Sequence, residues 1–354
     1  MTAGAPSPTT EIRLTTLHAT RGANFWSTRP VTRMDVAVGA YDQISSADVA
    51  GVTQRLVAAL PGLTEHECSI GEPGGFIIRL RRGTYAPHIM EHVALELQTM
   101  IGHDVGFGRT RGGDVEGEYT IVFEHRHEQV GLRAAALALE TVQRAFAGSL
   151  QPSHVALAVR ELAALANTPD APPIAQRVLA GVTGGAGRAE CVALLHDVLG
   201  PEDDEHLIID VAPAFVLYAG LPYARSRIAI VLDTAINDVP TRYRDPERAR
   251  RLLATLIDAV PRHDFVVCPA DALELQEEAR EAGCRVAVFT ASNTIPAEAL
   301  ELATAFGCVR DGVIWVEHCD DAECVRVLRD DQPASSQIAA ALAAFVIRTA
   351  QVHQ

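Results

Sequence analysis

Residues 180–190 read AGVTGGAGRAE, and this stretch decides how the second half of the chain folds. An apolar strand end leads into a glycine-rich turn, and a helical stretch follows. This order is typical of a loop that cradles phosphate at the start of a helix. A working cradle also needs a lysine for the β- and γ-phosphates and a hydroxyl group for Mg²⁺. Those two places hold Arg188 and Ala189, and all 30 basic side chains of this chain are arginines.

The glycine-rich turn therefore predicts a nucleotide-binding scaffold that has lost ATP chemistry. The planar fork of an arginine does not replace a compact ammonium group, and alanine offers Mg²⁺ no ligand. ATP and Mg²⁺ are not expected as cofactors. Gly184, Gly187 and Arg188 remain candidates for a residual anion site, and a tight strand-to-helix turn is the alternative interpretation.

After residue 177, short apolar runs alternate with amphipathic helices. Such alternation predicts an α/β domain, in which helices cover a parallel sheet. The predicted helices include 246–260, 270–282 and a last helix at 335–349. The predicted strands are Leu179–Thr183, Leu207–Val211, Ile228–Leu232, Phe265–Cys268, Val286–Phe289 and Val313–Val316.

The first half mixes the two periodicities, which predicts an α+β domain. Strands are predicted at 33–38, 75–80 and 119–124, and helices at 47–60, 85–101 and 128–146. Three prolines between residues 169 and 173 end this pattern. The predicted organisation is a disordered tail at 1–10, an α+β domain at 11–167, a linker at 168–176 and an α/β domain at 177–354.

Composition excludes several classes of partner. The formal net charge of −15 argues against nucleic acid and anionic membranes and suits a cationic substrate.

No apolar run approaches the ~18 residues of a membrane span, and the N-terminal residues do not resemble a signal peptide. Seven scattered cysteines fit reduced thiols. A cytoplasmic protein is expected.

The predicted helix at 85–101 carries the motif His88-Ile89-Met90-Glu91-His92. Histidines at positions i and i+4 lie on one face of a helix, about 6 Å apart at Cβ, which suits two ligands of one Zn²⁺. Glu91 can reach a zinc-activated water without binding the metal. The spacing matches the H-x-x-E-H motif of zinc peptidases. It predicts a zinc site with Glu91 as general base, and a hydrogen-bonded core cluster is the alternative.

Catalytic zinc takes three protein ligands, so one more is required. Glu128, at the start of the next predicted helix, is the first candidate and Glu124 is the alternative. Arg109 and Arg111 lie in a glycine-rich turn and suit the carboxylates of a substrate. Solvated loop arginines are the alternative interpretation for this pair.

Several blocks of the first half resemble the N-terminal domain of cyanophycin synthetases, over roughly residues 11–165. The second half resembles, more faintly, the Mur-ligase-like domain of that family at 182–184, 209–211, 229–234 and 237–238. The ATP-grasp domain that separates these two domains in the family has no counterpart here. The blocks of the first half are 21–27, 60–63, 66–69, 74–76, 83–85, 88–98 and 104–111.

The resemblance implies an aspartate-arginine polymer or peptide as partner, because cyanophycin is an aspartate backbone that bears arginines. In some members the N-terminal domain looks like a metal-dependent hydrolase, and its HxxEH helix matches His88, Glu91 and His92. A zinc hydrolase is therefore expected. The alternatives are a pseudoenzyme that binds polymer or a synthetase partner, and a residual ATP-dependent ligase. Cys68 matches one of two family cysteines, which makes it a weaker ligand candidate. A homo-oligomer is expected.

Overall fold

The computed structural model of the protein describes residues 6–170, 178–200, 207–318 and 321–352. The chain forms two compact units. The first comprises Met1–Thr20 and Arg29–Pro172, and the second comprises Arg21–Thr28 and Pro173–Gln354. Within the described residues, no helix has both the length and the apolar character that crossing a bilayer requires.

The segment Arg21–Thr28 differs from the predicted organisation, which placed it in the first domain. It packs within the second unit, where the backbone N–H of Leu221 donates to the carbonyl of Ala23 at 2.7 Å. The segment also supplies Phe25 and Trp26, whose rings meet Tyr243 edge to face. A local sequence pattern cannot reveal this placement, because the partners lie far along the chain.

The ends of the predicted first domain also need correction. Residues Pro8–Glu11 form a short helix, α1, and the following Ile12 is fully buried, so the predicted disordered tail does not extend to residue 10. The remainder of that tail, 1–5, lies outside the described residues, as does 171–176 of the predicted linker.

The first unit is an antiparallel sheet with helices packed on it, and the predicted α+β class is confirmed. The order of the strands is β1-β2-β4-β3. The strands are β1 (Arg13–Ala19), β2 (Val31–Ala37), β3 (Gly108–Gly112) and β4 (Glu118–Glu124). The longer helices are α2 (Val52–Ala59), α3 (Gly75–Arg82), α4 (Ala86–Thr99), α5 (Glu128–Phe146) and α6 (Pro152–Ala166).

Helix α4 is the central helix of this unit, and it packs against α5 and against strands β3 and β4. Pro87 lies in its first turn, where a missing N–H costs no helical hydrogen bond. Ile89, Val93 and Leu97 follow one another every four residues and are fully buried in the core. The prediction of a helix here is confirmed. Its polar residues are held in place by this packed core.

Helix α3 corrects one prediction, because Gly75–Leu80 is predicted as a strand. Phe76, Ile77 and Leu80 are buried at positions i, i+1 and i+4, which is the spacing of a helix face, while Ile78 is 38% exposed. A short apolar run does not distinguish a strand from one or two helical turns. Glycines with positive φ at Gly74 and Gly83 flank the helix.

The second unit is built on one sheet of the order β12-β11-β10-β9-β8-β7-β5-β6. From β6 to β10 the neighbouring strands are parallel, and β11 and β12 are added antiparallel, so the predicted α/β class is confirmed. The strands are β5 (Val178–Thr183), β6 (Leu207–Asp210), β7 (Ser226–Val231), β8 (Phe265–Pro269), β9 (Arg285–Phe289), β10 (Ala305–Arg310), β11 (Val313–His318) and β12 (Asp321–Val327). The helices are α7 (Arg188–Leu199), α8 (Pro213–Ala219), α9 (Pro246–Ala254), α10 (Leu273–Glu281), α11 (Ala297–Leu302) and α12 (Ala334–Val352).

Gly181 shows how tightly the core beside this sheet is packed. It lies in β5 between β6 and β7, and a methyl group there would overlap the hydroxyl of the fully buried Tyr223. We expect Gly181→Ala to lower the free energy of unfolding by about 1–3 kcal/mol, the usual cost of overpacking a core. Denaturant titration measures this change. Gly112→Ala is the control, because a methyl group there meets no atom within 4 Å. Equal stability of the two variants would contradict the prediction.

Candidate metal centre

The polar face of α4 forms a cluster with a cysteine from an earlier segment. The ligand atoms of Cys68, His88 and His92 all lie within 4.8 Å of one another, and Cys68 Sγ is 3.3 Å from His88 Nε2. Among the described residues, this is the group of three or more His, Cys, Asp or Glu side chains that could hold a metal ion. The predicted pair His88 and His92 is thus brought together with Cys68.

Cys68 reaches the cluster from a strained backbone. It begins a short 3-10 helix, Cys68–Ile70, and has φ of 55°, in the left-handed region that residues other than glycine rarely adopt. Strained backbone of this kind is found preferentially where a side chain must be held in a functional position. The conformation lets the thiol face the imidazole of His88.

The donor atoms fit a zinc ion. Nε2 of His92 is buried and has no hydrogen-bond partner, which is a costly state for a polar atom unless something binds it. Burial lowers the pKa of His88 to about 4 and the pKa of His92 to about 2. Both rings are therefore neutral at pH 7, with lone pairs available. Two imidazoles and one thiolate make three ligands of the type zinc prefers, which leaves one position for water.

Neighbouring side chains fix the orientation of both histidine rings. Nδ1 of His88 lies 2.8 Å from the hydroxyl oxygen of Thr84, and the ring of Phe76 stacks on the ring of His92 with centroids 3.8 Å apart. Contacts of this kind set the orientation of a metal ligand. Thr84 and Phe76 lie in the blocks 83–85 and 74–76 that carry the family resemblance, but no chemical motif predicted either contact.

Glu91 lines the same cavity and has a different environment. Its Oε2 accepts a 2.6 Å hydrogen bond from Thr110 Oγ1, and Gly108 has no side chain where the Glu91 side chain packs. Burial raises the pKa of Glu91 to about 6, although the bond from Thr110 and the charge of Arg109 oppose this effect. A carboxylate with a pKa near neutrality can both accept and return a proton.

The cavity has a volume of about 850 Å³, enough for several residues of a peptide. Charged side chains of both signs line it, among them Glu65, Glu67, Arg79 and Arg109. The predicted substrate-binding pair is therefore divided, because Arg109 lines the cavity and Arg111 is exposed on β3 without lining it.

The two acidic residues predicted as third ligand lie elsewhere. Glu124 is buried and accepts from the backbone N–H groups of Gly106 and Phe107 at 3.2 and 3.3 Å, so its carboxylate holds a loop. Glu128 begins α5, and neither residue lines the cavity or joins the cluster. The side chain that joins His88 and His92 in the cluster is Cys68, which the sequence analysis makes a weaker ligand candidate.

In the glycine-rich turn of the second unit, two backbone N–H groups and the Arg188 side chain bind groups of the chain itself. The backbone N–H groups of Gly185 and Ala186 donate to the carboxylate of Asp233 at 2.9 and 3.2 Å. Nε of Arg188 donates to Asp210 Oδ1 at 2.7 Å, and the same guanidinium bonds the Gly184 carbonyl. The N–H and guanidinium groups that would bind a phosphate therefore donate to carboxylates of the chain itself.

At Gly187 the turn is also covered, because Ser336 Oγ of α12 donates to the Gly187 carbonyl at 2.8 Å. A methyl group at Gly187 would overlap this hydroxyl, and the φ of 75° also favours glycine. Gly184 and Gly187 thus serve a tight, closely packed turn between β5 and α7.

Comparison with known proteins gives a match in the first unit. Residues 33–147 match the model of the cyanophycin synthase-like N-terminal domain. Cyanophycin synthetase from Synechocystis sp. is 45% identical over 123 residues, which are 34% of this chain and 14% of that protein. Cyanophycin synthetase from Trichormus variabilis is 42% identical over 136 residues, 37% of this chain and 15% of that protein. The chain thus spans about one seventh of the length of these relatives.

Among solved structures, two ligases are similar to part of the chain. A pseudomurein peptide ligase type C from Methanothermus fervidus aligns with a TM-score of 0.37 and 9% identity, covering 49% of this chain and 47% of that one. The MurF ligase from Thermotoga maritima aligns with a TM-score of 0.37 and 14% identity, covering 49% and 46%. The resemblance to cyanophycin synthetases that the sequence predicts is confirmed by the family match, which places a cyanophycin synthase-like N-terminal domain at residues 33–147.

Proposed function

We propose that the first unit is a zinc-dependent hydrolase that cuts aspartate-arginine peptides or polymer in the cavity beside α4. The observation that carries this proposal is the cluster of Cys68, His88 and His92, whose ligand atoms lie within 4.8 Å of one another and in which Nε2 of His92 is buried without a hydrogen-bond partner. These three residues would hold the metal. When bound, zinc supplies a Lewis acid that polarises the scissile carbonyl and acidifies water.

Glu91 performs the proton transfers in this proposal. Its carboxylate removes a proton from the attacking water as the new C–O bond forms at the scissile carbonyl. It then delivers that proton to the leaving nitrogen as the C–N bond breaks, so the products are a carboxylic acid and an amine. The pKa near 6, raised by burial, suits both transfers. Thr110 holds one carboxylate oxygen during the exchange.

The proposed substrate class rests on charge and on similarity. The chain has a net charge of −15, which favours a substrate rich in guanidinium groups. The cavity also contains Arg79 and Arg109, which can pair with aspartyl carboxylates. Cyanophycin synthetases are the proteins that the first unit is similar to.

Mass spectrometry of short aspartate-arginine oligomers tests this function. Incubation with the zinc-loaded protein should shorten the oligomers, and a chelator should stop the reaction. Intact oligomers that nevertheless bind tightly would favour the alternative, a protein that holds polymer or a synthetase partner without cutting. Absence of both cleavage and binding would contradict the proposed substrate class.

We expect no ATP-dependent ligation, because the turn that would bind the phosphates already holds the carboxylate of Asp233. A ligand raises the melting temperature only when its concentration is comparable to its Kd or above it. ATP that does not bind should therefore leave the melting temperature unchanged at millimolar concentration with Mg²⁺. Zn²⁺ added to the metal-free protein is the positive control in the same assay and should raise the melting temperature. A clear rise with ATP would support the residual ligase instead.

A further inference from the structure

A line of hydrogen bonds leads away from the zinc-binding side of His92. Nδ1 of His92 lies 2.8 Å from Nδ1 of His66, and Nε2 of His66 lies 3.2 Å from Oε2 of Glu96. His92 and Glu96 are one turn apart on α4 and are both nearly inaccessible, at 5% and 4% exposure. His66 bridges them from the segment that precedes Cys68. His66 and Glu96 lie outside the HxxEH motif.

The line determines which nitrogen of each ring carries the proton. An ionised Glu96 can only accept, so a neutral His66 carries its proton on Nε2 and presents a lone pair at Nδ1. His92 must then donate from Nδ1 to fill the 2.8 Å contact. Its Nε2 consequently holds a lone pair, and this buried atom has no hydrogen-bond partner. One carboxylate thus selects the tautomer that can bind metal.

The absence of a side chain at Gly62 leaves space for the Glu96 carboxylate. A methyl group at Gly62 would overlap both carboxylate oxygens of Glu96. The φ of Gly62 is not among the positive values, so the backbone itself does not require glycine. The missing side chain is therefore explained by the room that Glu96 takes.

We propose that His66 and Glu96 are positioning residues, which fix the tautomer and the ring orientation of His92 so that its Nε2 faces the metal. The proposal rests on the proposed zinc site. Carboxylates that orient a metal-bound histidine directly are a general device of zinc proteins. Here the orientation passes through a second histidine. The two residues touch neither substrate nor metal, so their effect is on metal affinity first.

Zinc affinity, measured by competition with a chromogenic chelator, tests this role. Glu96→Gln keeps the size of the side chain but can donate as well as accept, and His66→Phe removes both ring nitrogens. We expect each to weaken zinc binding by about 10- to 100-fold, the usual cost of losing such a contact. His66→Asn restores an acceptor for His92 and should recover part of the affinity. Glu140→Gln, on the exposed face of α5, is the control for charge removal.

Two further measurements separate positioning from other roles. Gly62→Ala, which displaces Glu96 without changing its chemistry, should weaken zinc in the same direction. The absorption bands of the cobalt-loaded variants should keep the wild-type energies at saturation, because the ligands are unchanged. Shifted bands in the His66 variants would make His66 a ligand and overturn the proposal.

Unchanged zinc affinity in Glu96→Gln and His66→Phe would also overturn the proposal, as would a wild-type protein that binds no zinc. Zinc binding by the wild type without cleavage of the oligomers would refute the hydrolase alone. In that case the affinities of the variants still decide the role of His66 and Glu96.

Discussion

His92→Ala is expected to reduce the zinc content of the protein from about one ion per chain to almost none. The substitution removes one of three protein ligands, and the two that remain, Cys68 and His88, cannot complete a site of the tetrahedral type. Elemental analysis of protein purified without a histidine tag measures the effect. His18→Ala is the matched control, because His18 is exposed on β1 and belongs to no cluster of ligands. Stoichiometric zinc in His92→Ala would place the metal elsewhere.

Elemental analysis of zinc content also tests which residue is the third ligand. Cys68→Ser should lose zinc, because a hydroxyl group is a far poorer zinc ligand than a thiolate. Glu128→Gln should retain it, since Glu128 lies outside the cluster. The opposite pattern would support the ligand set that the sequence favours over the one that the geometry favours.

Glu91→Gln should separate metal binding from turnover. Glutamine retains an oxygen that can accept the hydrogen bond from Thr110, and residue 91 is not a ligand, so zinc content should stay at the wild-type level. The amide cannot take up a proton from water. We therefore expect the rate of cleavage to fall by about 10²-fold or more, the usual contribution of general acid-base catalysis. Single-turnover cleavage of the oligomers, followed by mass spectrometry, measures this loss.

Glu140→Gln again serves as the control for that experiment and should cut at the wild-type rate. Cleavage by Glu91→Gln at the wild-type rate would show that another group transfers the proton. Loss of zinc from Glu91→Gln would instead give Glu91 a place among the metal ligands.

Local periodicity was sufficient to predict α4 and the face that carries His88, Glu91 and His92. It could not predict the contact of Cys68 with His88, because Cys68 lies in an irregular segment whose left-handed backbone has no sequence signature. Glu128 was predicted from its place at the start of the helix after β4. Only the packing of that helix shows that its carboxylate stays outside the cavity.

In the second unit, the buried strands were predicted because parallel strands are apolar on both faces. Strand β10 was missed, since Gly307 interrupts its apolar pattern and only the structure shows Ile338 and Leu342 of α12 packed against that glycine. The glycine-rich turn was predicted from the local order of strand, glycines and helix. The carboxylate that binds to this turn was not predicted, because Asp233 comes from the end of another strand.

The placement of Arg21–Thr28 in the second unit has a consequence for the order of events during synthesis. The segment lies in the chain between strands β1 and β2, so it is synthesised before the rest of the second unit. Its partners Leu221 and Tyr243 follow about 200 residues later, which at ordinary translation speeds is roughly 10–40 s. During that interval Phe25 and Trp26 lack Tyr243, the ring that both contact in the folded chain. A nascent chain halted before residue 221 would therefore present these two rings to chaperones.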